Sequence, residues 1–292
     1  MKRQIENVLP ETHWVSWFVL PFLIVAWGIL YIFPGRTADL FAWPIKPDLT
    51  ALFIGAAYLS GAYFFYRAAV AREWSAVRAG FLPVAVFAAL EGVATLLHWP
   101  KFNHTHPAFI AWAGLYFTTP WLVLLVWLRN RRVAGPEPQS PVRPVPRQLR
   151  LALGGLSILF IAAIAYLYIF PTVIIAFWPW TLSPLTARVL LGFFMITALA
   201  ELCLALSWRW QSYRVIVQAQ MLFLALFLLA LPRAWGNLDP TRLATWIFLG
   251  VMAAFLLLDG WFYLKMEGAQ PVSSLGRDRR PGTEDGETQP GG

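Results

Sequence analysis

Charge is what this chain has least of. Aspartate, glutamate, lysine and arginine make up 13% of its 292 residues, where a soluble domain carries about 25%. Beside 59% hydrophobic residues, that deficit excludes an ordinary water-soluble protein. Cysteine is nearly missing too. Cys203 stands alone inside an apolar run, so no intrachain disulfide can form and no Cys-x-x-Cys site exists. A phosphate-binding glycine loop, a nucleophile elbow and a nucleotide fingerprint are all lacking. These absences remove the common soluble enzyme classes but leave membrane enzymes, whose sites are assembled from scattered side chains. The net charge of +8 would suggest nucleic acid in a soluble chain. Here the basic residues flank apolar segments, the pattern that sets membrane orientation, and no nucleic-acid partner is expected.

What the chain does have is long apolar runs, at about 14–33, 51–70, 78–97, 109–128, 150–170, 185–206, 213–231 and 244–264. A hydrocarbon core of about 30 Å needs roughly 20 helical residues to cross it, and eight runs meet that length. Lipid offers the backbone no hydrogen-bond partners, so the spans must be helices or a closed barrel. The runs are continuous rather than alternating, which excludes barrel strands. Met1-Lys2-Arg3 gives the first run a basic flank like that of a signal peptide. No small-x-small cleavage site follows, so an uncleaved first transmembrane helix is expected.

The runs fall into two groups of four, and the sequence repeats with them. Tyr31-Ile32-Phe33-Pro34 returns as Tyr168-Ile169-Phe170-Pro171. Trp43-Pro44 with Leu49-Thr50-Ala51 returns as Trp178-Pro179 with Leu185-Thr186-Ala187. Trp74…Arg78 returns as Trp210…Arg214, and Trp99 as Trp235, each about 136 positions later. Four spans is an even number, so both halves start on the same side of the membrane and are parallel copies rather than inverted ones. The expected fold is therefore all-α and integral to the membrane, eight transmembrane helices arranged as two tandem parallel four-helix repeats. The first repeat occupies 1–134 and the second 149–267. A proline-rich cytoplasmic linker at 135–148 joins them, and a disordered cytoplasmic tail at 268–292 follows.

Lysine and arginine give the orientation. With the amino terminus inside, the inner segments hold 17 of these residues and the outer segments 6, so both termini are expected in the cytoplasm, the protein lying in the cytoplasmic (inner) membrane. Trp14, Trp17, Trp43, Trp99, Trp178, Trp180, Trp208, Trp210 and Trp235 lie near span ends and are expected mostly as interfacial anchors. Pro21, Pro83 and Pro120 interrupt helices one, three and four, either opening a cavity or only shaping the packing. Gly55, Gly61 and Gly192 are expected to permit close helix approach.

Three acids fall inside apolar runs: Glu91, Glu201 and Asp259. An intramembrane carboxylate costs about 2.5–3.5 kcal/mol on insertion scales and usually faces the bundle interior or a wet cavity. Their counterparts in the other half are Phe227, Phe65 and Val123, so whatever the acids do is not done symmetrically. Glu91, Thr95 and His98 share one helical face, and Trp112, Tyr116 and Thr119 share a face of helix four. Together these six residues form the candidate polar site. Glu201 and Asp259 are expected in ion pairs with Arg209, Lys265, Arg72 or Arg78 on the inner rim. Arg188 is expected to pair with Asp39 or Asp48, or to meet an anionic ligand.

His98, His104 and His106 crowd into nine positions of one outer loop. Imidazole beside carboxylate suits a divalent metal such as zinc or a proton relay. A purely structural role is the competing reading, because His-x-His in a loop lacks the fixed frame of a helical metal motif.

Leu97-His98-Trp99-Pro100-Lys101-Phe102, with His106-Pro107 and Thr118-Thr119-Pro120, resembles a pattern in uncharacterised bacterial polytopic integral-membrane proteins. In that family the position of Pro100 is often acidic, so the departure here weakens a metal or proton reading. The resemblance implies the membrane fold and carries over no catalytic residue. Three function classes stand open: transport or small-ligand binding between the repeats, a structural or assembly partner of another membrane protein, and a metal-dependent membrane enzyme. The lipid bilayer is the one partner the sequence names.

The topology is open to a direct check. Cysteine-labelling or protease-tag accessibility in intact cells should place the 135–148 segment and the carboxyl terminus inside and the loop around Lys101 outside; an exterior 135–148 segment would overturn the scheme.

Overall fold

The computed structural model describes residues 7–133, 145–207 and 209–268. Among them, eight helices are long and apolar enough to cross a membrane: α1 (Pro10–Ile32), α2 (Asp48–Ala69), α3 (Arg78–Leu97), α4 (Pro107–Val133), α5 (Arg147–Ile169), α6 (Pro184–Leu206), α7 (Arg214–Asn237) and α8 (Leu243–Gly268). No strand occurs among the described residues. The protein is an all-α, multi-pass membrane bundle. Most of the 135–148 linker, nearly all of the tail and Trp208 lie outside the described residues.

Several helices run past their apolar cores. α4 continues through Arg129, Arg131 and Arg132, because those side chains reach water while the backbone keeps its own hydrogen bonds. Helix starts follow local chemistry. Ser183 Oγ accepts the Thr186 backbone N–H at 3.2 Å and Pro184 opens α6, a side-chain cap followed by a residue with no N–H to satisfy. α1 ends in a π turn at Gly28–Ile32. Pro21, Pro83 and Pro120 sit inside α1, α3 and α4.

Packing follows a matched pattern. α1 lies on α2 as α5 lies on α6, α3 on α4 as α7 on α8, and the halves meet along two seams, α3 on α6 and α2 on α7. In its most apolar stretch α2 is 72% buried but α8 only 6%, so α2 runs through the centre and α8 along the rim. Trp246, Leu257, Leu258 and Leu264 of α8 point outward, which suits a helix whose solvent is lipid.

The loops gather at two ends. At one end, Leu9 N–H donates to Asn130 Oδ1 at 3.1 Å, Arg129 pairs with Glu11 at 2.9 Å, and Trp210 Nε1 donates to Glu267 at 2.8 Å. At the other, His106 bonds the Asp39 carbonyl, Asp239 N–H bonds the Pro179 carbonyl, and Asn237 Oδ1 accepts the Leu49 N–H at 3.0 Å across the halves.

Both halves reach across in the same way. Tyr31, at the end of α1, donates its hydroxyl to the Leu226 carbonyl of α7 at 2.8 Å. Tyr168, at the end of α5, donates to the Leu90 carbonyl of α3 at 2.5 Å. Arg233 bonds the Tyr31 carbonyl across the halves at 2.8 Å, whereas Arg188 bonds the Tyr168 carbonyl within the second half at 3.0 Å. The last carbonyls of a helix carry a partial negative charge, which attracts a guanidinium. That field explains where Arg188 goes: it caps α5 and does not pair with Asp39 or Asp48.

The tryptophans divide. Trp14, Trp17, Trp99 and Trp235 are exposed, as anchors should be, but Trp43, Trp178, Trp180 and Trp210 are core residues. Trp43 packs edge-on against Trp112 with ring centres 4.7 Å apart, and Trp180 Nε1 donates to Thr50 Oγ1 at 2.8 Å. Aromatic neighbours and buried hydroxyls pull these indoles inward. Glycine is needed where α1 meets α2, since a Cβ on Gly55 would stand 2.9 Å from the Tyr31 backbone N.

Candidate functional site

Glu91 lies on the face of α3 that meets α6. It has no solvent exposure, and neither carboxylate oxygen has a hydrogen-bond partner. Its neighbour across the seam is Gly192, where an added Cβ would fall 2.3 Å from Glu91 Oε1 and 3.3 Å from the Phe87 ring. Gly192 therefore makes the room that Glu91 occupies. Tyr58, Tyr116 and Tyr168 lie within electrostatic range of the carboxyl. Tyr58 and Tyr116 share a buried hydroxyl–hydroxyl bond of 2.8 Å that joins α2 to α4.

The structure brings most of the six-residue polar face together. Thr95 Oγ1 donates to the Glu91 carbonyl at 2.7 Å and accepts from Trp112 Nε1 at 2.8 Å. Trp112 stacks near Tyr116 with centroids 4.3 Å apart. Thr119 is buried, and its hydroxyl has no partner. Thr118, next to it, turns its hydroxyl back to the Gly114 carbonyl at 2.7 Å, a local bond that competes with the helix ladder near Pro120. Tyr58 was not among the sequence candidates, and Gly192 was expected only to permit close helix approach; their place beside Glu91 emerges once the helices are packed together.

His98 sits apart from Glu91, just past the end of α3, and its Nε2 accepts a 2.7 Å bond from Arg188. Burial foremost, then the Arg188 and Lys101 charges, hold its imidazole below the ordinary 6.5. His104 bonds the Trp99 carbonyl at 3.0 Å and stacks on the Trp99 ring. His106 uses both nitrogens, one on the Asp39 carbonyl and one accepting the Ala108 N–H. Among the described residues, no three His, Cys, Asp or Glu side chains stand close enough to hold a metal ion. The three histidines tie down the outer loop through separate partners.

An open space lies elsewhere in the protein. A cavity of about 440 Å³ lies between the halves, walled by Phe53 and Phe64 of α2, Phe87 of α3, Phe193 and Phe194 of α6 and Phe223 of α7. Pro83 also lines it, which puts one of the helix-interrupting prolines at the cavity wall. Glu201 of α6 and Gln220 of α7 face this space. Asp259 of α8 stands close to both Gln220 and Glu201. The ion pairs expected for Glu201 and Asp259 are not made, because no cation pairs with either acid among the described residues. Lys265 instead stands over the Trp261 ring at 4.8 Å, a contact that keeps its charge at the rim.

No protein-family model matches the chain, and comparison with curated proteins and with solved structures finds no match.

Two outcomes follow from this geometry. Gly192→Ala should destabilise the protein by about 1–3 kcal/mol through overpacking, and far less in a Glu91→Ala background, because the two positions share one space. Unfolding of the single and double variants in detergent measures the coupling, and strictly additive effects would refute the contact. His98 has a folded-state pKa below its unfolded value, so the unfolded chain binds the proton more tightly and stability falls as pH drops below about 6.5. Melting temperatures at pH 7.5 and pH 5.5 should differ more in the wild type than in His98→Gln; identical pH dependence would remove His98 as the cause.

Proposed function

We propose that the protein binds a small apolar ligand in the cavity between its two halves, as a membrane carrier does. The cavity itself carries this reading. Ligand pockets run from about 300 to 1,000 Å³, are mostly apolar, and present a few polar groups that fix orientation; a space of about 440 Å³ with Glu201 and Gln220 on an aromatic wall matches that description. Its walls come from both halves, so any change at the α3–α6 or α2–α7 seam alters its shape. Sites at the interface of repeated bundles are the common arrangement among carriers.

The two halves are, on this reading, parallel copies of one four-helix unit. The constant spacing of the sequence matches supports it, and so does the pair Tyr31–Leu226 and Tyr168–Leu90, in which equivalent donors meet equivalent acceptors. The excess of lysine and arginine in the inner segments favours the cytoplasmic membrane with both termini inside. The outward apolar face of α8 would suit an assembly partner, but lipid alone accounts for it. A metal-dependent reaction draws no support from the separate engagements of the histidines.

The test uses a neutral apolar probe, N-phenyl-1-naphthylamine, added to detergent-purified protein. Its fluorescence should rise saturably above that of empty micelles, and Ala198→Phe or Ala163→Phe, each placing a ring in the cavity, should weaken binding at least tenfold. A signal equal to that of empty micelles, or one indifferent to both variants, would reject the cavity as a binding site.

A further inference from the structure

The cavity is chemically lopsided. Among the described residues no lysine, arginine or histidine lines it, and Glu201 is the one carboxylic acid on its wall. Behind Glu201 stands Asp259, close enough for the two carboxyl groups to influence each other. Gln220 of α7 neighbours Asp259, whose Oδ2 is buried and has no hydrogen-bond partner. Three helices, α6, α7 and α8, thus converge a polar trio on one region of an otherwise aromatic chamber. Carboxylates inside a bundle ordinarily pair with a cation from the protein, and among the described residues none pairs with these. Charge attraction is strong where water is scarce, and aromatic faces add to it for a cation but not for an anion.

We propose that the cavity between the halves is a site for a lipophilic organic cation, an apolar molecule bearing one positive charge, with the aromatic walls holding its body and Glu201, backed by Asp259, facing its charge. This inference rests on the ligand-binding reading of the same cavity and names its ligand class. Anions of equal size and shape are excluded by the same carboxyls.

Tetraphenylphosphonium and tetraphenylborate, nearly identical in shape and opposite in charge, separate charge from fit. Equilibrium dialysis against purified protein, with empty micelles as the baseline, should show saturable binding of the phosphonium and none of the borate. Glu201→Gln should weaken phosphonium binding at least tenfold, and Asp259→Asn should weaken it less, in the same direction. Equal affinity for the two ions would overturn the proposal, and so would unchanged phosphonium affinity in a Glu201→Gln protein that melts like the wild type. Should Glu201→Gln fail to fold, the discrimination between the two ions by the wild type decides alone. Binding of the neutral naphthylamine without the phosphonium would sink the cation site and leave the cavity reading standing, whereas binding of neither would sink both.

Discussion

Lipid tails are as apolar as leucine, so burial from water cannot drive these helices together. What holds them is close packing and the few hydrogen bonds that find no alternative partner in hydrocarbon. Everything else depends on the two seams where the halves touch. At α3–α6 the absence of a Cβ on Gly192 leaves the space Glu91 fills. At α2–α7, Ser60 donates to the Ala219 carbonyl at 2.7 Å, Tyr63 and Arg67 converge on Gln218 Oε1 at 2.7 and 2.9 Å, and Gln218 in turn donates to Tyr263 of α8. The cavity exists because the seams hold the two halves in contact on either side of it without closing the space between.

The spans were readable because length and continuity of apolar residues are nearly sufficient conditions for a transmembrane helix. So were the shared face of Glu91 and Thr95 on α3 and that of Trp112 and Tyr116 on α4, since helical spacing is a local property. Long-range partners were not readable. The rim arginines looked like natural partners for Glu201 and Asp259 by distance along the chain, but neither acid has a cation with it. Arg188 looked like a partner for an acid and instead caps a helix end. Trp43, Trp178, Trp180 and Trp210 sit at span ends in sequence yet inside the protein in space. A composition rule knows depth along the membrane normal but not distance from the bundle axis. The cavity has no sequence signature at all, because its phenylalanines are the same residues that fill a core.

The acids break whatever symmetry the halves share. Phe227, the counterpart of Glu91, is fully buried among Phe53, Phe223 and Trp180. Phe65, the counterpart of Glu201, lines the same cavity. Val123, the counterpart of Asp259, is wholly enclosed. Each acid therefore has an apolar residue 136 positions away in the sequence, and of the three only Glu201 is among the residues lining the cavity.

The tyrosine clasps at Tyr31 and Tyr168 have a genetic corollary. Each hands its proton to a main-chain oxygen, which every amino acid supplies, so substitutions at Leu226 and Leu90 leave the acceptor intact while loss of the phenol removes the bond. For these two bonds the burden falls on the tyrosine positions and not on the residues that face them. Drift in the facing helices is then free to remodel what lies between them.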